Sequence, residues 1–192
     1  WHTFTEDFEQ NPYWIQNRIQ SKDARIRLLL SLSANLKVTD WLTLQARGNL
    51  DHSADKLRQK FYASTATALC GMNGRYIEMD YQETQMYGDV MAMVKKQLND
   101  FTLDVAIGGS INDRITNSTR IDSKNASLKY ANVFNLANIV MSSSASIDQK
   151  IDAHYQLQSV FATAQIGYKE GVFLDLTARN DWSSTLAYTK YE

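Results

Sequence analysis

The sequence predicts an all-β chain, a partial antiparallel barrel of about six long strands, and three observations predict it. From Ile26 to Leu36 the apolar residues fall on every second position, and from Leu42 to Leu50 they do so again. Between the two runs lies Val38-Thr39-Asp40, a break of turn length. Further along, tight turns at Asn99-Asp100 and Lys169-Glu170-Gly171 alternate with long irregular stretches. Side chains on a strand point to opposite faces in turn, so each run is a strand with one apolar and one polar face. Each arm has about ten residues or more, against about five or six for an ordinary strand. Long two-faced strands joined by tight turns are what a membrane-spanning barrel requires.

Composition agrees with that class. The chain has 192 residues and is 44% hydrophobic, with a mean hydropathy of -0.40. No apolar run approaches the roughly 18 residues of a transmembrane helix, which excludes a helical membrane protein. A barrel dilutes its hydropathy because half of each strand faces a polar lumen. The net charge of -1 offers no basic field for nucleic acid. A single cysteine, Cys70, rules out an intrachain disulfide framework and reads as a lone thiol in a loop. The chain starts at Trp1 without a signal peptide, so a piece of something larger is expected.

The elements follow in order. Trp1 to Lys22 is polar and aromatic and holds the sole proline, Pro12, so a loop into the first strand is expected. There Asn11-Pro12-Tyr13-Trp14 is read as extended, its two rings either meeting a partner or sugar or, the favoured reading, packing on the barrel rim. The second strand runs on past Asp51 towards Tyr62 through Asp55, Lys56, Arg58 and Lys60, basic groups suited to lipid phosphates or simply to a solvated strand end. Ala63 to Gly74 has loop composition. Tyr81 to Leu98 is a third strand with Val90, Ala92, Val94 and Leu98 on one parity, interrupted by Lys96. Phe101 to Asn112 is a fourth, alternating cleanly. Thr116 to Lys150 is a long Ser/Asn-rich connection with an apolar patch near Val133 to Met141, and connections of that length are usually functional. Its Asn117-Ser118-Thr119 and Asn125-Ala126-Ser127 match glycosylation acceptors and carry no weight in such a composition. The fifth strand ends at Val160 to Tyr168, and the sixth begins at Val172.

This arrangement of three hairpins also orients the piece, because bacterial outer-membrane barrels keep short turns on the periplasmic side and long loops outside. Phe101 and Tyr168 lie on the apolar parity beside the turns, where an inner aromatic girdle belongs, and Trp182 lies about ten residues up, suited to an outer one. Trp41 and Phe173 fall on the other parity and are expected at the lumen floor. About six strands cannot close a membrane barrel, which needs at least about eight. Open edges are not tolerated in lipid, so most of the barrel is expected to lie outside this chain.

Nothing in the sequence supports an enzyme. His2, His52 and His154 are far apart and lack ligand-spaced neighbours, so no metal site and no catalytic residue is expected. There is no phosphate loop, no serine-nucleophile motif and no Cys/His pair. Ser142-Ser143-Ser144 is loop composition. Asp104, Asp175 and Arg179 stand on polar faces, as path-lining groups or, the favoured reading, as ion pairs. No cofactor is expected, and no substrate-binding residue is assigned.

The last strand and its flanks carry a resemblance. Gly167-Tyr168-Lys169 followed by Phe173-Leu174-Asp175-Leu176-Thr177-Ala178-Arg179-Asn180-Asp181-Trp182-Ser183-Ser184-Thr185-Leu186 closely resembles a signature of the SusC/RagA-type TonB-linked outer-membrane transporters of Bacteroidetes. Asn11-Pro12-Tyr13-Trp14 and Thr39-Asp40-Trp41-Leu42 resemble further segments of that family in the right order, while Ala54 to about Tyr155 resembles it in architecture alone. Ala187 stands where the family often has proline. The resemblance implies a plugged barrel of about 22 strands, integral to the outer membrane, of which residues 1–192 are a segment without the plug and the TonB box. It implies active import of oligosaccharides or peptides, a SusD-like lipoprotein partner, and coupling to TonB–ExbB–ExbD through the missing N-terminal part. The alternative is a soluble β-sandwich or surface glycan-binding module, in which Ile26–Leu36 and Phe101–Ile111 pack against each other.

Overall fold

All three turns expected from the sequence join paired strands. The computed structural model describes residues 10–124, 126, 128–141, 146–169 and 171–186. One short helix, α1 (Pro12–Arg18), is followed by β1 (Ile19–Lys37), β2 (Leu42–Phe61), β3 (Arg75–Leu98), β4 (Phe101–Asp122), β5 (Ser146–Tyr168) and β6 (Val172–Ser183). They form one six-stranded sheet in the order β1-β2-β3-β4-β5-β6, with the β5–β6 pair antiparallel. The fold is all-β and the sheet does not close. The sandwich arrangement is not the one found, because Ile26–Leu36 and Phe101–Ile111 are strands of this same sheet.

At the first turn the Val38 N–H reaches the Leu42 carbonyl, Thr39 Oγ1 accepts from the Leu42 N–H at 3.1 Å, and Lys37 pairs with Asp40 at 2.8 Å. Asn99 and Lys169 take positive φ, 50° and 48°, in the other two, a conformation that a tight hairpin needs and asparagine tolerates. Glu170 of the third turn lies outside the described residues, as do His2, Asn125, Ser127, Ser142–Ser144 and Ala187.

Three expectations are corrected. The stretch before the first strand is not a loop through Lys22: Asn11 caps a helix by accepting the Tyr13 N–H at 2.9 Å, and Pro12 occupies its first turn. Proline there has no N–H to lose and its fixed φ suits the helix. Next, β3 begins at Arg75 rather than Tyr81. Finally, β4 continues to Asp122 and β5 starts at Ser146, so the long connection is shorter than Thr116–Lys150. The added residues carry only scattered apolar side chains, such as Tyr76 and Ile77 in β3 and Ile121 in β4, so pairing continues where regular apolar alternation has stopped.

The residues form two compact units. The first comprises Trp1–Arg27, Ser53–Gln82 and Thr116–Asp152; the second comprises Leu28–His52, Glu83–Ile115 and Ala153–Glu192. The first has an ordinary interior, in which buried Tyr76, Leu128 and Ile139 pack with Ile121 and Phe134. Asn138 ties the loop around that core by donating to the Tyr130 and Val133 carbonyls at 2.8 and 2.6 Å and accepting from the Tyr130 N–H. Gly74 has φ 106°, and a Cβ there would stand 2.6 Å from the Phe61 carbonyl oxygen, so only glycine fits.

The second unit is inverted. Among its described residues those buried are Asp89, Ser159 and Gly167, whereas Leu30, Leu32, Val90, Ile107, Leu174 and Leu176 are all exposed, Leu32 at 77%. The β5–β6 register pairs Ile166 with Leu174, Ala164 with Leu176 and Gln158 with Trp182, so the apolar residues share one face.

Candidate functional site

The polar face of the second unit is the region whose side chains are organised for something other than packing. Arg47 on β2 donates to both carboxylate oxygens of Asp89 on β3 at 3.1 Å, and the Asp89 side chain is fully buried. Gln85 bonds Asn112 at 3.0 Å, and Gln45 bonds Asn35 at 2.8 Å. Residues of like parity on neighbouring strands stand side by side, so alternation in the sequence becomes a continuous lattice of donors and acceptors.

The residues singled out from the sequence fall into this lattice. Asp104 pairs with Lys95 at 2.9 Å, and Asp175 accepts from the Gln165 amide at 2.8 Å. Arg179 is held by Asp181 at 2.9 Å and donates to Ser159 Oγ at 3.0 Å. Ion pairing is thus what Asp104 and Arg179 do. Two aromatic rings lie on glycines of this face: Phe161 covers Gly108, where a Cβ would meet the ring at 2.7 Å, and Phe173 covers its strand partner Gly167. Lys96, which interrupts the apolar parity of β3, has its ammonium 5.9 Å from the centre of the Trp41 ring. On the apolar face Phe101 and Tyr168 meet with centroids 4.9 Å apart, and Trp182 is half exposed beside Val160 and Ile111.

The histidines stay apart. His52 Nδ1 bonds Thr84 Oγ1 at 2.9 Å, and His154 Nε2 meets Asp113 at 2.6 Å. No group of three metal-ligating side chains occurs among the described residues. Cys70 is buried in its loop with its thiol pushed up by burial.

In the first unit a second polar cluster braces the loops. Arg75 grips Asp122 with two bonds of 2.8 Å, Arg120 adds a third, and the Lys124 N–H a fourth. Burial works against the Asp122 charge, but the Arg75 hydrogen bonds and the Lys124 N–H, reinforced by the charges of Arg75 and Arg120, hold it below the ordinary carboxylate range. Next to it Tyr76 donates to Glu78 at 2.8 Å, and burial, helped by that carboxylate, pushes its phenol up to about 12. Sequence reading missed Arg47–Asp89 and Arg75–Asp122. Their partners lie on different strands, and only the strand register brings them together.

No protein-family profile matches the chain, and no curated protein matches it. Solved structures do. The structure of the RagAB peptide transporter superposes with a TM-score of 0.76 at 18% identity, over 93% of this chain and 20% of that one. The RagAB peptide importer in its 'open-open' state gives 0.75 at 19% identity, over 91% and 19%. In its 'closed-closed' state it gives 0.74 at 18%, over the same shares. The chain shares their fold. It spans about a fifth of the RagAB chain it matches, and the proteins it resembles are transporters rather than enzymes.

Proposed function

We propose that this chain is a wall segment of the C-terminal barrel domain of an outer-membrane, TonB-dependent importer of the SusC/RagA kind. The observation that carries the proposal is the inversion of the second unit: buried carboxylate and hydroxyl, exposed leucine rows. In water such a surface aggregates; against lipid it is the ordinary outside of a barrel. The rows also have the right length, since Ile26–Leu36 and Phe101–Ile111 each cover the roughly 9–11 residues that a tilted strand needs to cross the hydrocarbon. On this reading the apolar face meets lipid, the polar face lines the lumen, the tight turns are periplasmic and the first unit is extracellular. The unpaired edges of β1 and β6 then join further strands of the same barrel.

The signature from Gly167 to Leu186 and the likeness to RagAB support the same reading. The solute is an oligosaccharide or a peptide delivered by a SusD-like lipoprotein, and TonB–ExbB–ExbD supplies the energy through parts of the protein outside this chain.

Cysteine scanning of the full-length protein in intact outer membranes tests the proposal, with Cys70 silent because it is buried. Leu30→Cys, Leu32→Cys and Leu44→Cys should resist a water-soluble maleimide and react with a lipid-soluble one. Asn35→Cys and Gln45→Cys should do the reverse. Equal labelling of both sets by the water-soluble reagent would refute a lipid-facing row.

A further inference from the structure

The second unit has three described arginines, and one differs from the others. Arg47 is closed by Asp89, and Arg179 by Asp181 and Ser159. Arg114 on β4 has no carboxylate in ion-pair range among the described residues; its guanidinium is exposed and sits over the Tyr155 ring of β5, 5.2 Å from the centroid. A guanidinium attracted to a ring face through its charge keeps its five N–H donors for another partner. The ring replaces a counter-ion in holding the side chain still, so little rotamer freedom remains to be lost when an anion binds.

The surroundings narrow the anion. Asn112, two residues back on the same face, is engaged with the neutral amide of Gln85. On the opposite parity Asp113 is taken up by His154 and Gln156. One cation, beside the neutral amides of Asn112 and Gln85 and with Glu83 two residues from Gln85 on the same parity of β3, suits a singly charged carboxylate better than a phosphate dianion. Arg114 also stands just past Ile111, where the apolar row of β4 ends, so on the transporter reading it lies at the lumen mouth.

We infer that Arg114, positioned by Tyr155, is a subsite for a carboxylate on the imported solute. The inference rests on the transport reading above. Its test uses cells in which the full-length protein is the sole outer-membrane route for a defined mixture. The mixture holds short peptides with free or amidated carboxyl groups and oligosaccharides with or without a uronate, and depletion of each is followed by mass spectrometry. Arg114→Gln should lower uptake of the carboxylate-bearing members relative to their neutral counterparts by about ten- to a hundred-fold, the size of a charge-assisted hydrogen bond. Arg114→Lys should keep part of the preference, and Tyr155→Leu should fall between. Because the readout is a ratio, reduced amounts of a variant do not disturb it, and whichever arm responds identifies the source of the carboxylate. An unchanged ratio in Arg114→Gln overturns the subsite while leaving transport intact. Depletion of nothing by the unmodified protein overturns the transport reading itself.

Discussion

The two units of this chain are made from the same strands and solve opposite problems. The first buries Tyr76, Leu128 and Ile139 as an apolar core, with the Asp122 carboxylate buried against Arg75 as well. The second buries Asp89 and Ser159 and leaves its leucines out. On β2 the change comes within a few residues: Leu50 ends the apolar row, and along the same parity Lys56 and Arg58 pair with Asp80 and Glu78 at 3.9 and 3.0 Å. Burial of apolar area drives folding only where the alternative is water. On the transporter reading the difference reflects the solvent of each unit: water around the first, hydrocarbon against one face of the second.

Truncating the interior of the first unit should have the largest effect. Leu128 is fully buried, and Leu128→Ala should cost about 2–5 kcal/mol of loop stability through lost transfer energy and the cavity left behind. Limited proteolysis should then cut within residues 128–141 of the assembled full-length protein while the second unit stays protected. Cleavage spreading to Leu28–His52 would mean that the units do not behave separately.

Reversing polarity tests the second unit. On the transporter reading Leu32 lies near the bilayer midplane, and Leu32→Arg should cost about 2–4 kcal/mol, seen as lost heat-resistant folded protein in outer-membrane extracts. Asn35→Arg, on the other face of the same strand, should leave the folded fraction unchanged. Equal loss from both would remove the distinction between the faces.

Protons should separate the units more gently. The folded Asp122 carboxyl titrates below its ordinary 3.8, so its contribution is complete above that value and is lost as pH falls through the lower folded one. Tyr76 is the opposite case: its phenol rises from 10.0 to about 12, so its contribution is complete below pH 10 and disappears as pH climbs through about 12. Protease protection of the loops should weaken at both extremes, and Asp122→Asn should remove most of the acid limb. A protection profile that Asp122→Asn leaves unchanged would show that the carboxylate does not brace the loops.

How much of this was legible beforehand follows the same division. Period-two alternation revealed every turn of the second unit because one face there is predominantly apolar, broken at positions such as Lys96. The same signal fell silent at Arg25 and beyond Asp51, where strands continue with polar residues on both faces, as in the bonds from Arg25 to Asp55 and from Gln59 to Ser21. Helix α1 escapes a reading in which Pro12 extends the chain, because Asn11 before it makes Pro12 the first helical residue. The patch from Val133 to Met141 was visible, but not its partners: Tyr76 comes from β3 and Leu128 from earlier in the loop. Arg114 and Tyr155 were equally hidden, since their meeting depends on the register between β4 and β5.

The finest test compares two aromatic pairs with the same spacing. Tyr62 and Phe134 in the first unit, and Phe101 and Tyr168 in the second, each have centroids 4.9 Å apart. Ring–ring attraction beyond area burial is about 0.5–1.5 kcal/mol for either pair, so double-mutant cycles should give similar coupling energies. The single substitutions should not match. Phe134 packs on the buried cluster, so Phe134→Ala loses water-excluded area as well as the ring contact, about 3–5 kcal/mol in a well-packed site. Phe101 is 49% exposed in this chain and, on the transporter reading, trades one apolar neighbour for another at a membrane interface, so Phe101→Ala should cost little more than the coupling term. Equal single-mutant costs measured in vesicles would mean that both rings fold out of water, and the second unit would then need a protein partner, not lipid, to cover its leucines.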